Sequence, residues 1–220
     1  MELLNTVFEV FMRTYPGFLE AALMTLKITA VALVLGSILG LVFALMKISR
    51  SKILQTIANV YITIIRGTPL IVQIMFLYFG ITEIITLSGF WAGAIALGIH
   101  NGAYIAEIFR GAIQGIDRGQ REASSSLGMT RAQSMRRIIF PQALKRSIPP
   151  LGNQFIITLK DSSLVYIISV QELFALANRE AAQSYQPLET FLVVGVYYLI
   201  LVMIFTYLLK LYENKLNVDK

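Results

Sequence analysis

The chain has 220 residues, of which 56% are hydrophobic and only 15% charged, and its mean hydropathy is +0.67. A soluble domain carries about a quarter charged residues, so this composition belongs to a membrane protein, with length for a bundle of about five spans. The formal net charge is +6, and without a single cysteine there is neither a disulfide framework nor a thiolate metal site.

The N-terminus opens with Glu2 and has no long apolar core before Arg13, so it does not read as a signal peptide. Leu3, Leu4, Val7, Phe8 and Phe11 recur at helical spacing. They predict an amphipathic helix over residues 1–16, either lying on the membrane surface or packed on the bundle's own edge. A transmembrane domain over residues 17–215 follows. Its predicted spans are 21–46, 57–81, 91–109, 148–168 and 188–211, each long enough to cross a core of about 30 Å. The second is interrupted by Arg66-Gly67-Thr68-Pro69 and the fourth by Lys160-Asp161. Gly36 with Gly40, Gly89 with Gly93, Gly98 with Gly102 and Gly111 with Gly115 are small-xxx-small pairs that let helix backbones approach.

Basic residues set the expected orientation. Lys47, Arg50 and Lys52 lie between spans one and two. Arg110, Arg118, Arg121, Arg131, Arg136, Arg137, Lys145 and Arg146 lie between three and four, and Lys210, Lys215 and Lys220 follow the fifth. The positive-inside rule places these in the cytoplasm and the N-terminus outside. The basic charge is then a topology signal, with no nucleic-acid partner implied.

Residues 111–147 are too many for a turn between spans, and they are patterned. Residues 122–127 read as a short helix stopped by Gly128 in the position of a left-handed cap. Thr130 and Gln133 form a T-x-x-Q capping box that opens a second helix, interrupted by Pro141. Such a pair is a rigid docking element, or else a helix pair lying on anionic membrane lipid.

Glu122-Ala123-Ser124, three residues, Gly128, nine residues, Ile138-Ile139-Phe140-Pro141 resembles the EAA loop of ATP-binding-cassette (ABC) importer permeases, E-A-A-x3-G-x9-I-x-L-P. Ser124 stands for the third-position alanine and Phe140 for the usual leucine. Arg66-Gly67-Thr68-Pro69-Leu70, Asn101 to Glu107 and Leu159 to Leu164 resemble the signatures of the histidine- and glutamine-type branch for polar amino acids. The likeness covers nearly the whole chain, about residues 17–213.

The resemblance implies an all-α, five-span permease of the type I importer fold in the cell membrane, translocating polar amino acids. It implies a separate ABC ATPase subunit, an extracytoplasmic solute-binding protein and a second permease copy, identical or homologous. The helix at 122–127 would be the coupling helix. Glu122, Ala123, Gly128, Arg131, Arg136 and Pro141 are the candidates for coupling to the ATPase, Glu122 and the arginines beside it by direct contact. The chain has no G-x-x-x-x-G-K-[ST] loop, so it is expected to be no ATPase itself and to need no cofactor.

Polar residues inside spans mark where cargo could bind. Asn101, Tyr104 and Glu107 project within about 120° of one another on the third span, and Gln154, Thr158 and Asp161 within about 60° on the fourth. Asn101 and Thr158 each lie about 15 Å from a membrane face and are expected to meet near the midplane. Arg66, beside the break in span two, could meet a carboxylate. The alternative is that Arg66, Glu107, Lys160 and Asp161 pair with one another. Two acids against one arginine tilt the expected cargo slightly toward a basic amino acid. His100 reads as a packed or hydrogen-bonded residue. An ion-coupled secondary transporter would not need the Glu122 loop, and an intramembrane hydrolase lacks H-E-x-x-H, G-x-S-x-G and an aspartyl pair.

Overall fold

Residues 2–216 are described by a computed structural model, and among them every regular element is helical. Helix α1 (Glu2–Lys47) has 46 residues, about 69 Å and more than twice the hydrocarbon thickness of a bilayer. The N-terminal helix expected over 1–16 is therefore continuous with the first span, and Pro16 sits inside α1 without ending it. Packing explains the continuity. Val10 and Phe18 are fully buried in a cluster with Leu173, Ala177, Val193 and Val194, while Leu4, Phe8 and Met12 stay exposed.

Helix α2 (Lys52–Gly67) is capped by Ser51, whose side chain accepts from the Leu54 amide. Pro69 then forces a break. Thr68 is extended at φ −117° and ψ 144°, and α3 (Leu70–Met75), with a π-helical turn at Phe76–Gly80, leaves at 105° to α2. Helix α4 (Gly89–Gln114) starts on the Ser88 cap. Helices α5 (Arg118–Ser126) and α6 (Arg131–Ser134) follow, then a π-helical turn, Met135–Ile139, and α7 (Phe140–Asp161). Pro141, expected to interrupt the helix opened at Thr130, instead lies within a helical run that continues without a break from Arg131 to Asp161. The irregularity falls on the π turn just before it. At Asp161 the fourth predicted span changes to a 3-10 segment, Ser162–Ile168, and α8 (Leu173–Ser184) and α9 (Pro187–Leu216) complete the fold.

Length and apolarity qualify α1 and α9 as spans among the described residues, with the bent α2–α3 pair a third. Helix α4 is the interior one: 13 of its 26 residues are buried, so it meets protein rather than lipid and tolerates polar side chains. Its main partner is α1, and the glycine pairs show why. A Cβ on Gly36 would lie 3.1 Å from the Gly98 carbonyl oxygen, and one on Gly40 only 2.7 Å from Ile105 Cβ. Gly36, Gly40, Gly98 and Gly102 thus form one seam, and side chains there would force the two helices apart.

Candidate functional site

Two polar clusters lie along α4. In the first, Asn101 is fully buried and donates from Nδ2 to the Leu97 carbonyl at 2.7 Å. Its Oδ1 faces Gln154 Nε2 at 2.6 Å and Thr158 Oγ1 at 2.8 Å, both on α7. Thr158 Oγ1 also lies 2.7 Å from the Gln154 carbonyl, so its single hydrogen has two acceptors in reach. Asn101 and Thr158 do meet, as their depths predict, but the cluster closes on itself and joins α4 to α7.

The second cluster lies at the α2–α3 break. Pro69 offers no N–H, so the Ile65 carbonyl lacks its helical donor. Gln73 Nε2 supplies one at 2.9 Å and also reaches Thr68 Oγ1 at 2.8 Å, a repair that matters where water is scarce. Gln73 Oε1 is 3.2 Å from His100 Nδ1, which makes His100 the hydrogen-bonded residue expected. The His100 ring lies 5.2 Å from Tyr104, and the Arg66 guanidinium sits over the Tyr104 ring at 5.0 Å. Arg66 is exposed and has no carboxylate partner among the described residues. A cavity of about 350 Å3 lined by Ile64, Thr68, Val72, Gln73, Phe76 and Ile99 opens at the same break, within the size range of ligand pockets. A groove of about 430 Å3 between α1, α7 and α9 is lined by Leu33, Ile148, Phe155, Phe205 and other apolar residues. It offers a polar ligand no contact.

The expected acids part ways. Glu107 is held by Lys47 Nζ at 2.7 Å and by Arg110 through two bonds, at 2.8 and 3.0 Å. Asp161, half-buried at the end of α7, has no ion-pair partner among the described residues. The pairing of Arg66, Glu107, Lys160 and Asp161 with one another is not what the structure forms. Lys47 was missed because its partner lies 60 residues away, and Gln73 because a lone amide in Leu-Ile-Val-Gln-Ile-Met has no motif to flag it. Its polarity in an apolar run was the available signal.

In the element at 118–139 the helix expected over 122–127 begins earlier, as Arg118–Ser126, while its stop at Gly128 is as expected. Gly128 has φ +74°; its amide donates to Ser125 O and the next amide, Met129, to Ser124 O, which is the Schellman end of a helix. The Thr130–Gln133 box is formed in both directions. Glu122, Ala123, Arg131, Arg136 and Pro141 are exposed. Arg121 is not free, because it donates to the Ile113 carbonyl. Ser124, the departure from the family's alanine, is fully buried, and its Oγ meets Ser134 Oγ at 2.6 Å. Lys220, counted in the basic tail, lies outside the described residues.

Residues 11–218 match the family of binding-protein-dependent transport system inner membrane components. The chain is 36% identical over 216 residues to an arginine transport system permease protein, ArtQ, of Bacillus subtilis, covering 97% of this chain and 99% of that one. It is 38% identical over 206 residues to the glutamine transport system permease protein GlnP of Escherichia coli, covering 92% and 94%. Among solved structures, a chain of an amino acid ABC transporter with histidines superposes at a TM-score of 0.88 with 40% identity, covering 93% of this chain and 96% of that one. The inward-facing MetNI methionine ABC transporter shares the fold at a TM-score of 0.81 and 21% identity, covering 93% and 98%.

Proposed function

The chain belongs to the binding-protein-dependent transport system inner membrane components, and from that premise we propose that it carries polar amino acids through the membrane. It is the permease subunit of an ABC importer, without an ATPase of its own. A separate ATPase subunit supplies the energy and a solute-binding protein delivers the cargo.

The observation that carries the cargo site is Arg66, an arginine at a broken helix with no ion-pair partner among the described residues. In this reading Arg66 takes the α-carboxylate, Asp161 the ammonium, and Tyr104 contributes its ring and hydroxyl. Asn101, Gln154 and Thr158 hold α4 against α7, and Glu107 is occupied by Lys47 and Arg110. Arg66 and Asp161 carry the two opposite charges that would meet the carboxylate and ammonium of any α-amino acid, and with Glu107 occupied the tilt toward basic cargo loses its footing. The relatives' names cover arginine and glutamine alike. Cargo-stimulated ATP hydrolysis in proteoliposomes, measured with arginine, histidine and glutamine, identifies the side-chain class. Arg66→Ala and Asp161→Asn variants that respond like the parent would place the site elsewhere.

Five spans enclose too little for a gated passage, so the unit is a symmetric pair of permeases around a two-fold axis. The N-terminus is outside, and α5 and α6 are cytoplasmic with Glu122, Ala123, Gly128, Arg131, Arg136 and Pro141 toward the ATPase. With no native cysteine, Ser126→Cys reports this orientation directly. Its labelling by an impermeant reagent in sealed cells would reverse it.

A further inference from the structure

Helix α4 ends at Gln114, where the carbonyls of the last turn have no intrahelical donors. The Gly115 amide returns to Gly111 O at 2.8 Å. Two arginines from opposite sides of the intervening segment supply further donors. Arg121 of α5 donates from Nη2 to Ile113 O at 2.8 Å, and Arg146 of α7 donates from Nη1 to Gly115 O. Each brings a full positive charge to the negative end of the α4 dipole. Beneath them Ile113, Ile116, Ile139 and Ala143 form a buried cluster. The Ser124–Ser134 hydroxyl pair pins α5 to α6. Helix α5 therefore cannot shift far without breaking charge-assisted bonds or carrying the end of α4 with it.

The routes out of this element differ in stiffness. Toward α7 the chain passes a π-helical turn and then Pro149 and Pro150, each of which removes a backbone donor. Helix α4 runs from Gly89 to Gln114 without a proline or an irregular turn, and it carries Glu107, Tyr104 and Asn101.

We propose that Arg121 and Arg146 are positioning residues that clamp the end of α4 to α5 and to α7, so that displacement of α5 is transmitted through α4 to the Tyr104–Arg66 cluster. The inference rests on the reading of α5 as the place where the ATPase docks. It adds that α4 carries the movement and that these two guanidinium groups make the connection.

The experiment uses the full permease–ATPase complex in proteoliposomes with its binding protein and cargo. Arg146→Met keeps the apolar stem and removes the donors. Basal ATP hydrolysis, copurified ATPase and melting temperature stay at parental values. Transport per ATP hydrolysed falls on the order of tenfold, within the range of typical coupling energies. Arg146→Lys, which keeps a cation at the helix end, recovers most of that loss, and Arg121→Met behaves like Arg146→Met. Parental coupling in both methionine variants overturns the clamp. So does a loss explained by a dissociated ATPase, which would make the arginines docking contacts, or by a lowered melting temperature, which would make them structural. A parental complex that failed to couple hydrolysis to cargo would instead sink the permease reading itself.

Discussion

The two polar clusters on α4 lie one helical turn apart and have opposite characters. Asn101 is buried, and both ends of its amide are met by protein, Leu97 on its own helix and Gln154 and Thr158 on α7. One turn on, Tyr104 is only half-buried, and the arginine above it has no ion-pair partner among the described residues. Motif and depth treat the two alike, as polar residues in a span. Their completeness separates them: a closed cluster fastens helices together, whereas an open one has bonds left to give to a ligand.

The largest effect is expected at a buried carboxyl group. Glu172, in the connection between the fourth and fifth predicted spans, is fully buried. It accepts from the Phe174 and Ala175 amides and the Tyr198 hydroxyl at 2.7–2.9 Å. Burial dominates over those donors and raises its pKa from 4.5 to about 7. A carboxyl whose pKa is higher in the folded protein contributes stability below pH 4.5 that is lost as pH rises through about 7. The loss amounts to about 3 kcal/mol. Melting temperature of the purified permease is therefore expected to fall between pH 5 and 8 and to level out in Glu172→Gln. A parent curve flat over that range would show the carboxylate to be fully solvated by its three donors.

Next in size is Asn101→Ala. It strands the buried Gln154 amide and loosens α4 from α7, at a cost of about 2–3 kcal/mol. The expected signature is a lowered melting temperature, with cargo stimulation kept in whatever fraction stays folded. Unchanged melting with lost stimulation would turn the closed cluster into a binding site and erase its difference from the open one.

Arg66→Ala is the complementary test. Melting temperature is expected to hold, since the exposed guanidinium makes only its contact with the Tyr104 ring, while cargo stimulation drops about tenfold. The smallest effect is expected at Glu107→Gln, because its pairs with Lys47 and Arg110 are partly exposed and such pairs contribute at most about 1 kcal/mol. A strong transport defect there, with the protein intact, would return Glu107 to the list of cargo contacts.

Composition, span pattern and the EAA-like loop were enough to reach the class of protein, because each depends on local or additive properties. Apolar length, the proline break at Pro69, the left-handed Gly128 and the Thr130–Gln133 box are all dictated within a few residues, and each was legible. What the sequence could not decide was partnership. Whether Glu107 meets cargo or Lys47, whether Gly36 and Gly40 face Gly98 and Gly102, and whether Arg121 points to an ATPase or to the end of its own neighbouring helix depend on side chains far apart in the chain. Ser124 is the sharpest case. It reads as a mild substitution of an alanine, yet folding places Ser134 2.6 Å away and turns it into a bolt between two helices. Spacing along one helix tells which groups share a face, but only the packing of a second helix against that face decides which of them are already satisfied.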